Sequence, residues 1–122
     1  VSGQGASATL YGCQIGYNRG SGLEVRDKAC LVADRCHLER NGKQGLFGWN
    51  NAGSVTINDC TFRGHMQEST VLVADHCRAK MKRCHIAGSG HAAIAVEKAT
   101  AKLNGCVGED SLHGLLVQTG KC

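Results

Sequence analysis

Cysteine recurs at Cys13, Cys36, Cys60, Cys84 and Cys106, at intervals of 23, 24, 24 and 22 residues, and it carries its neighbours with it. Five residues before it stand Ala8, Leu31, Val55, Ala79 and Ala101, and three before it stand Leu10, Ala33, Ile57, Met81 and Leu103. Two after it come Ile15, Leu38, Phe62 and Ile86, with Gly108 the exception. Five after it come Asn18, Asn41, His65, Ser89 and Ser111, mostly turn formers. Roughly ten to twelve residues after the cysteine there is a second apolar pair, Leu23/Val25, Val71/Val73, Ile94/Val96 and Leu115/Val117, degraded in the second unit to Leu46 and Gly48. A small residue precedes this pair at Gly22, Gly45, Ala93 and Gly114. Such a period constrains the fold strongly, because each unit can bury its apolar side only against its neighbours.

Within a unit the apolar residues are two apart, which is strand spacing rather than helix spacing. Each unit reads as three short strands: one ending before the cysteine, one starting on it, and one after the Asn/Gly turn. The inward positions change parity between the first two strands, so a bend must lie just before the cysteine. The pairs there are Tyr11-Gly12, Asp34-Arg35, Asn58-Asp59, Lys82-Arg83 and Asn104-Gly105. Asn, Asp and Gly accept the left-handed backbone that such a corner needs. Ankyrin and tetratricopeptide arrays would need helical stretches that are missing here, and a leucine-rich repeat would need a denser leucine ladder. With 17 glycines, no proline and 4% aromatic residues, the composition suits small coils with tight turns. The expected fold is all-β, a right-handed parallel β-helix of about five coils of 22–24 residues, with three short strands per coil. Residues 1–122 form one such domain, and the pattern still running at Val1 and Cys122 suggests a piece of a larger protein.

Equivalent residues in successive coils lie about 4.8 Å apart. The five repeat cysteines therefore stack as an internal ladder of small, buried side chains. Disulfides between them are the first alternative, but parallel side chains make the required dihedral a strain on the sheet. Zinc is the second, because His37 and His85 each follow a ladder cysteine. No C-x-x-C occurs, however, and alternation points both histidines away from their cysteines. No metal and no cofactor is expected. Cys30, Cys77 and Cys122 fall near first strands and are expected to be partly exposed. Free thiols point to a reducing intracellular compartment, cytoplasmic or nuclear.

The segments Cys13–Val25 (CQIGYNRGSGLEV), Cys36–Phe47 (CHLERNGKQGLF) and Cys84–Val96 (CHIAGSGHAAIAV) share the form x-I-x-x-N-x-x-x-G-I-x-V. In this the chain resembles the parallel β-helix repeat proteins of the pectin-lyase-like superfamily over nearly its whole length. The resemblance implies the fold but not one activity, since such repeats serve polysaccharide lyases, hydrolases, epimerases and adhesins. They also occur in intracellular adaptors of F-box and SHC-binding type. Polygalacturonase-like hydrolases carry an adjacent Asp-Asp and a Gly-His-Gly. Here Gly64-His65 and Gly90-His91 are followed by Met66 and Ala92, and no Asp-Asp occurs. Pectate-lyase-like enzymes combine an acidic calcium site with an arginine base, and no row of three carboxylates beside an arginine is found here. No catalytic residue carries over. The chain looks closer to the non-catalytic adaptor modules than to the enzymes.

The clearest outward feature is basic. Arg78, Lys80 and Lys82 alternate along one strand, Arg83 sits at its bend, and Lys102 stacks beside Lys80. Together they suit a polyanion, although a lysine-rich strand also serves solubility and protects a sheet edge. Trp49, the sole tryptophan, lies in the irregular stretch Gly48-Trp49-Asn50-Asn51 and could stack on a sugar ring, meet a partner or cover a coil edge. The candidate ligand-binding set is Arg78, Lys80, Lys82, Lys102 and Trp49. Glu109, Asp110 and His113 form the one tight acid/acid/His group, which could in principle serve acid–base hydrolysis but occupies a turn.

Two functions follow as expectations. The first is a non-catalytic recognition or scaffold module that presents a flat sheet face to a protein partner. The second is a carbohydrate-active enzyme of lyase, hydrolase or epimerase type, or an inactive relative, holding acidic polysaccharide on the basic strip. Nucleic acid is disfavoured because no aromatic residues interleave with the strip to stack bases. No apolar run approaches 18 residues, so no membrane span is expected. A stack of a few coils leaves unpaired edges at both ends. Either neighbouring domains in the full protein or end-to-end dimers are therefore expected, and light scattering checks this: a stable, dilute monomer contradicts it.

Overall fold

The computed structural model describes residues 1–65 and 67–118. Among the described residues there are fifteen strands and no helix, arranged as three parallel sheets that share every coil. The first sheet holds β1 (Ser7–Tyr11), β4 (Cys30–Asp34), β7 (Ser54–Asn58), β10 (Arg78–Lys82) and β13 (Thr100–Asn104), hydrogen-bonded in that order. The second stacks β2 (Gln14–Gly16), β5 (His37–Glu39), β8 (Thr61–Arg63), β11 (His85–Ala87) and β14 (Val107–Glu109). The third stacks β3 (Leu23–Val25), β6 (Leu46–Gly48), β9 (Val71–Ala74), β12 (Ala92–Glu97) and β15 (His113–Gln118). Every neighbour in a sheet is one full coil away in sequence. This is the parallel β-helix that the repeat implies. One detail differs: the second strand of each coil begins one residue after the cysteine, which itself lies in the corner.

The repeat rows become registered columns. Ala8, Leu31, Val55, Ala79 and Ala101 pair in sequence, as do Leu10, Ala33, Ile57, Met81 and Leu103. Within one coil a large residue in one column is matched by a small one in the other (Leu31 with Ala33, Ala79 with Met81), or two medium residues share the space (Val55 with Ile57). A coil of fixed circumference has a fixed interior, so the summed volume is conserved rather than each residue. Phe62 is the one large ring in the interior and is fully buried, a burial worth about 1.5–3 kcal/mol.

The corner before each cysteine is built by a left-handed residue. Gly12, Arg35, Asp59, Arg83 and Gly105 have φ of 63°, 55°, 53°, 52° and 64°. Each of the first four donates its N–H to the corner carbonyl of the next coil, so Gly12 reaches Asp34 at 3.0 Å and Arg83 reaches Asn104 at 2.8 Å. The cysteine then turns its thiol back to the carbonyl two residues earlier. The Cys36, Cys60 and Cys84 Sγ atoms lie 3.5, 3.2 and 3.4 Å from the oxygens of Asp34, Asn58 and Lys82. A thiol is a weak donor, but it is small and apolar enough to stand in the core while doing this.

All seven described cysteines are free thiols, and Cys36, Cys60 and Cys84 belong to the core. Burial pushes the Cys60 thiol up to about 11 and the Cys84 thiol up to about 12. Cys77 corrects an expectation. It is fully buried rather than partly exposed, whereas Cys30 is half-buried, and Cys122 lies outside the described residues. The reason is register. Cys77 sits seven residues before Cys84, in the inward corner row of Ala29, Gly53 and Ala99, while Cys30 sits six before Cys36 and faces out.

Buried Cys77 also explains the degraded apolar pair of the second coil. A Cβ on Gly48 would lie 2.7 Å from the Cys77 Sγ, so the sulfur takes the space that Val25 and Val73 fill in adjacent coils. Gly48→Ala should cost about 1–3 kcal/mol by overpacking, and Cys77→Ala about 1 kcal/mol by leaving a gap. The double variant should be less destabilised than the sum of the two, by about 1 kcal/mol or more, because the new methyl occupies the vacated volume. Urea unfolding of the three variants measures this, and strict additivity would contradict the packing account.

Candidate functional site

The outward face of the first sheet carries polar columns: Ser54, Arg78 and Thr100 in one, Thr56, Lys80 and Lys102 in the next, and Asn58, Lys82 and Asn104 in the third. The strand β10 alternates between exposed and buried residues, so its cations stand clear of the core. A groove of about 520 Å³ runs between the columns and is lined by Ser54, Thr56, Arg78, Lys80, Thr100 and Lys102, with Val55 and Ala79 beneath. Lys80 and Lys102 are direct cross-strand partners. Like charges on adjacent strands repel each other, and an anion held between them would relieve that repulsion. No carboxylate lines the groove.

The structure therefore brings Arg78, Lys80 and Lys102 together. Lys82 lies further along the same strand, beyond the lining of the groove. Arg83 is committed elsewhere: it makes a two-pronged ion pair with Asp59, at 2.7 and 2.8 Å. That pair holds the Asp59 carboxyl below its ordinary range and the guanidinium above its own. Both groups are solvent-facing, so the pair contributes little to stability.

Trp49 stands elsewhere, at the end of β6 on the third sheet, and takes no part in the groove. Its indole Nε1–H donates to Glu24 Oε1 at 2.7 Å, its ring stacks on Phe47 with centroids 5.5 Å apart, and the Arg26 guanidinium lies 5.6 Å from its centroid. The neighbouring Gly48 belongs to β6 rather than to an irregular stretch.

The acid/acid/His group is dispersed. Glu109 ends β14 and pairs with His85, whose Nε2 lies 2.5 Å from its Oε1. His113 begins β15 and meets His91 edge-on at 5.5 Å. Asp110 holds a left-handed corner with φ 54°. Among the described residues no cluster of three or more His, Cys, Asp or Glu is placed to hold a metal ion.

His65 is the residue whose role the sequence concealed. The row Asn18–Asn41–His65–Ser89 falls at a corner as expected, but Asn41, His65 and Ser89 turn inward and are buried. There Asn41 and His65 replace main-chain bonds that the corner interrupts. The Asn41 Oδ1 accepts from Asn18 N at 3.2 Å and from Asn18 Nδ2 at 2.9 Å. His65 Nδ1 accepts from Asn41 N at 3.3 Å, leaving Nε2–H to donate to the Leu38 carbonyl at 3.3 Å. In the first two coils the small residue before the third strand now has a cause. A Cβ on Gly22 would lie 2.6 Å from Asn41 Nδ2, and one on Gly45 would lie 2.7 Å from Phe62 and 3.0 Å from His65.

The family model described as "Right handed beta helix region" matches residues 1–75. The chain belongs to that family. The match ends with the third coil, and the fourth and fifth continue in the same register. No curated protein and no solved structure gave a significant match. Arg78, Lys80 and Lys102 all lie after the matched segment, so the family supplies their scaffold and not their role.

Burial lowers the His65 proton affinity below the usual value of about 6.5. Between the folded and unfolded values the unfolded chain binds more protons. Stability is thus full above about pH 7 and falls as pH drops below about 6.5, with a slope of at most about 1.4 kcal/mol per pH unit for one site. His65→Asn, which copies Asn41 at the equivalent place, should fold and flatten this slope. Urea unfolding at pH 7.5 and pH 5 in both proteins tests it.

Proposed function

We propose that this β-helix is a non-catalytic recognition module that holds an acidic segment of a protein partner against the outer face of its first sheet. The observation that carries the reading is the groove in which Arg78, Lys80 and Lys102 converge with the Ser54, Thr56 and Thr100 hydroxyls and no carboxylate. Cations there draw in carboxylates from solution, while hydroxyls and a flat strand surface suit an extended chain. Lys82, at the end of the same strand, extends the positive field along the bound segment. Trp49 is assigned to a different surface. In this respect the chain would stand with the intracellular adaptor members of the pectin-lyase-like superfamily, and its row of free thiols suits a reducing compartment. A second reading, an acidic polysaccharide in the same groove, is favoured by the hydroxyls beside each cation, which can bond sugar hydroxyls as well as carboxylates.

Fluorescence anisotropy with a labelled glutamate- and aspartate-rich peptide, and in parallel with labelled polygalacturonate, separates these readings. The expected result is peptide binding that weakens as salt rises and falls at least about tenfold in the Lys80→Glu/Lys102→Glu variant. Preferential polygalacturonate binding with the same charge dependence moves the function to the second reading. Binding of neither probe, or binding indifferent to charge reversal, overturns the proposal.

A further inference from the structure

The third sheet differs from the other two in what it shows to solvent. Its inward columns are Leu23, Leu46, Val71, Ile94, Leu115 and their companions two residues on. The outward column between them reads Glu24, Phe47, Leu72, Ala95, Leu116. Four of its five members are apolar. The strand β12, AAIAVE, has no alternation at all, and its first five residues are buried. Ala74 and Ala95 are buried outside the core cluster, because they belong to the opposite face of the sheet. A parallel sheet reads as a continuous apolar run where both faces are covered. Among the described residues no second layer of strands or helices lies over this one, and only side chains shield it, Trp49 over Phe47 and the neighbours of the buried Ala95, leaving Phe47, Leu72 and Leu116 half-buried. The last three coils of the first sheet, by contrast, show hydroxyls, cations and asparagines, with Tyr11 and Val32 exposed in its first two.

The charges at the rim define what fits. A groove of about 350 Å³ crosses this face and is lined by Leu72, Ala95 and Leu116 with Glu68, Glu97 and His91 among its polar walls. It holds two carboxylates and no lysine or arginine, in a chain whose net charge is +4. Glu68 accepts one hydrogen bond, from Gln44 at 3.0 Å, and neither glutamate makes an ion pair among the described residues. Glu24, on the same face, is already held by the Trp49 indole. Among the described residues these two carboxylates therefore have no cationic partner.

We propose that the outer face of the third sheet is a second docking surface, for an amphipathic basic helix of another protein. Its apolar side lies along Phe47, Leu72, Ala95 and Leu116, and its Lys or Arg side chains reach Glu68 and Glu97. A helix is the natural cover for a parallel sheet. Three strand spacings, about 14 Å from Phe47 to Leu116, match a helical stretch of about ten residues. The bound helix lies beside Trp49 and Phe47, so the chain's single tryptophan reports on its arrival.

The probe is a tryptophan-free, end-capped helical peptide of about 14 residues, with leucines on one side and lysines and arginines flanking them, beside a counterpart carrying glutamate in place of each cation. Trp49 emission and the anisotropy of the labelled peptide are read together. The basic peptide is expected to bind and to shift Trp49 emission, and its glutamate counterpart is not. Glu68→Lys/Glu97→Lys should weaken binding at least about tenfold and Glu68→Gln/Glu97→Gln by less, with thermal unfolding unchanged in the milder pair. Lys80→Glu/Lys102→Glu should leave this binding intact, so failure here is distinct from failure of the acidic partner on the first sheet. Equal binding of both peptides, no binding, or indifference to the glutamate substitutions overturns the proposal. So does concentration-dependent self-association, seen by sedimentation and abolished by Leu116→Lys, which would assign the face to a second copy.

Discussion

Each main-chain amide of this protein must find its carbonyl in the next coil, about 4.8 Å away, and that single requirement disciplines the rest of the structure. Strands meet it easily, because parallel pairing is uniform along their length. Corners meet it only if every coil turns with the same dihedrals at the same place. The first corner shows how strict this is: Gly12, Arg35, Asp59, Arg83 and Gly105 adopt φ values within 52–64°, although an arginine there costs roughly 1–2 kcal/mol that glycine avoids. The cost is met because the amide then bonds the following coil and the corner carbonyl receives both an N–H and a cysteine thiol, as Asp34 does from Gly12 and Cys36.

Fixing the main chain this way leaves a core of constant bore. Side chains trade volume within a coil, Leu31 against Ala33, or between coils, Cys77 against the missing side chain of Gly48. Where a corner leaves its own main chain short of partners, Asn41 and His65 send side chains inward to supply them. Polar groups in such a core are tolerable because each is satisfied. Asn and His are interchangeable in that row because both offer one acceptor and one donor at similar reach.

How much of this could be read from the residues follows from the same logic. The first strand and its bend were legible because two apolar columns and a cysteine mark them in all five coils. The left-handed residues at the second corner were not, because Tyr17, Arg40, Gly64, Gly88 and Asp110 share a dihedral and no chemistry. Cys77 was misplaced by one residue of register, which in a strand exchanges inside for outside. His65 looked like a turn residue because its partners, Asn41 and Leu38, are 24 and 27 residues distant. Among candidate site residues, Lys80 and Lys102 could be paired from spacing alone, since a period of 22 places them side by side. Trp49 could not be understood that way. Its contact with Glu24 spans 25 residues and lies on the outward column of the third sheet, which the apolar spacing of the inward columns does not mark.

The three outer faces also need not share one purpose. The interior sets the inward alternation of every strand, but it places no demand on the outward residue, which is free to answer to solvent or to a partner. The second sheet shows His37, Thr61 and His85 with charged neighbours, as a solvated face should. The first gathers cations around hydroxyls, and the third abandons polarity along Phe47, Leu72, Ala95 and Leu116. Solubility favours polar outward residues everywhere, so a column that departs from them four coils running is a cost the fold does not require. On a rigid solenoid two such faces keep a fixed separation. Partners engaged on both would be held at a set distance and orientation without touching each other. That is a geometric service which needs no chemistry from the module itself.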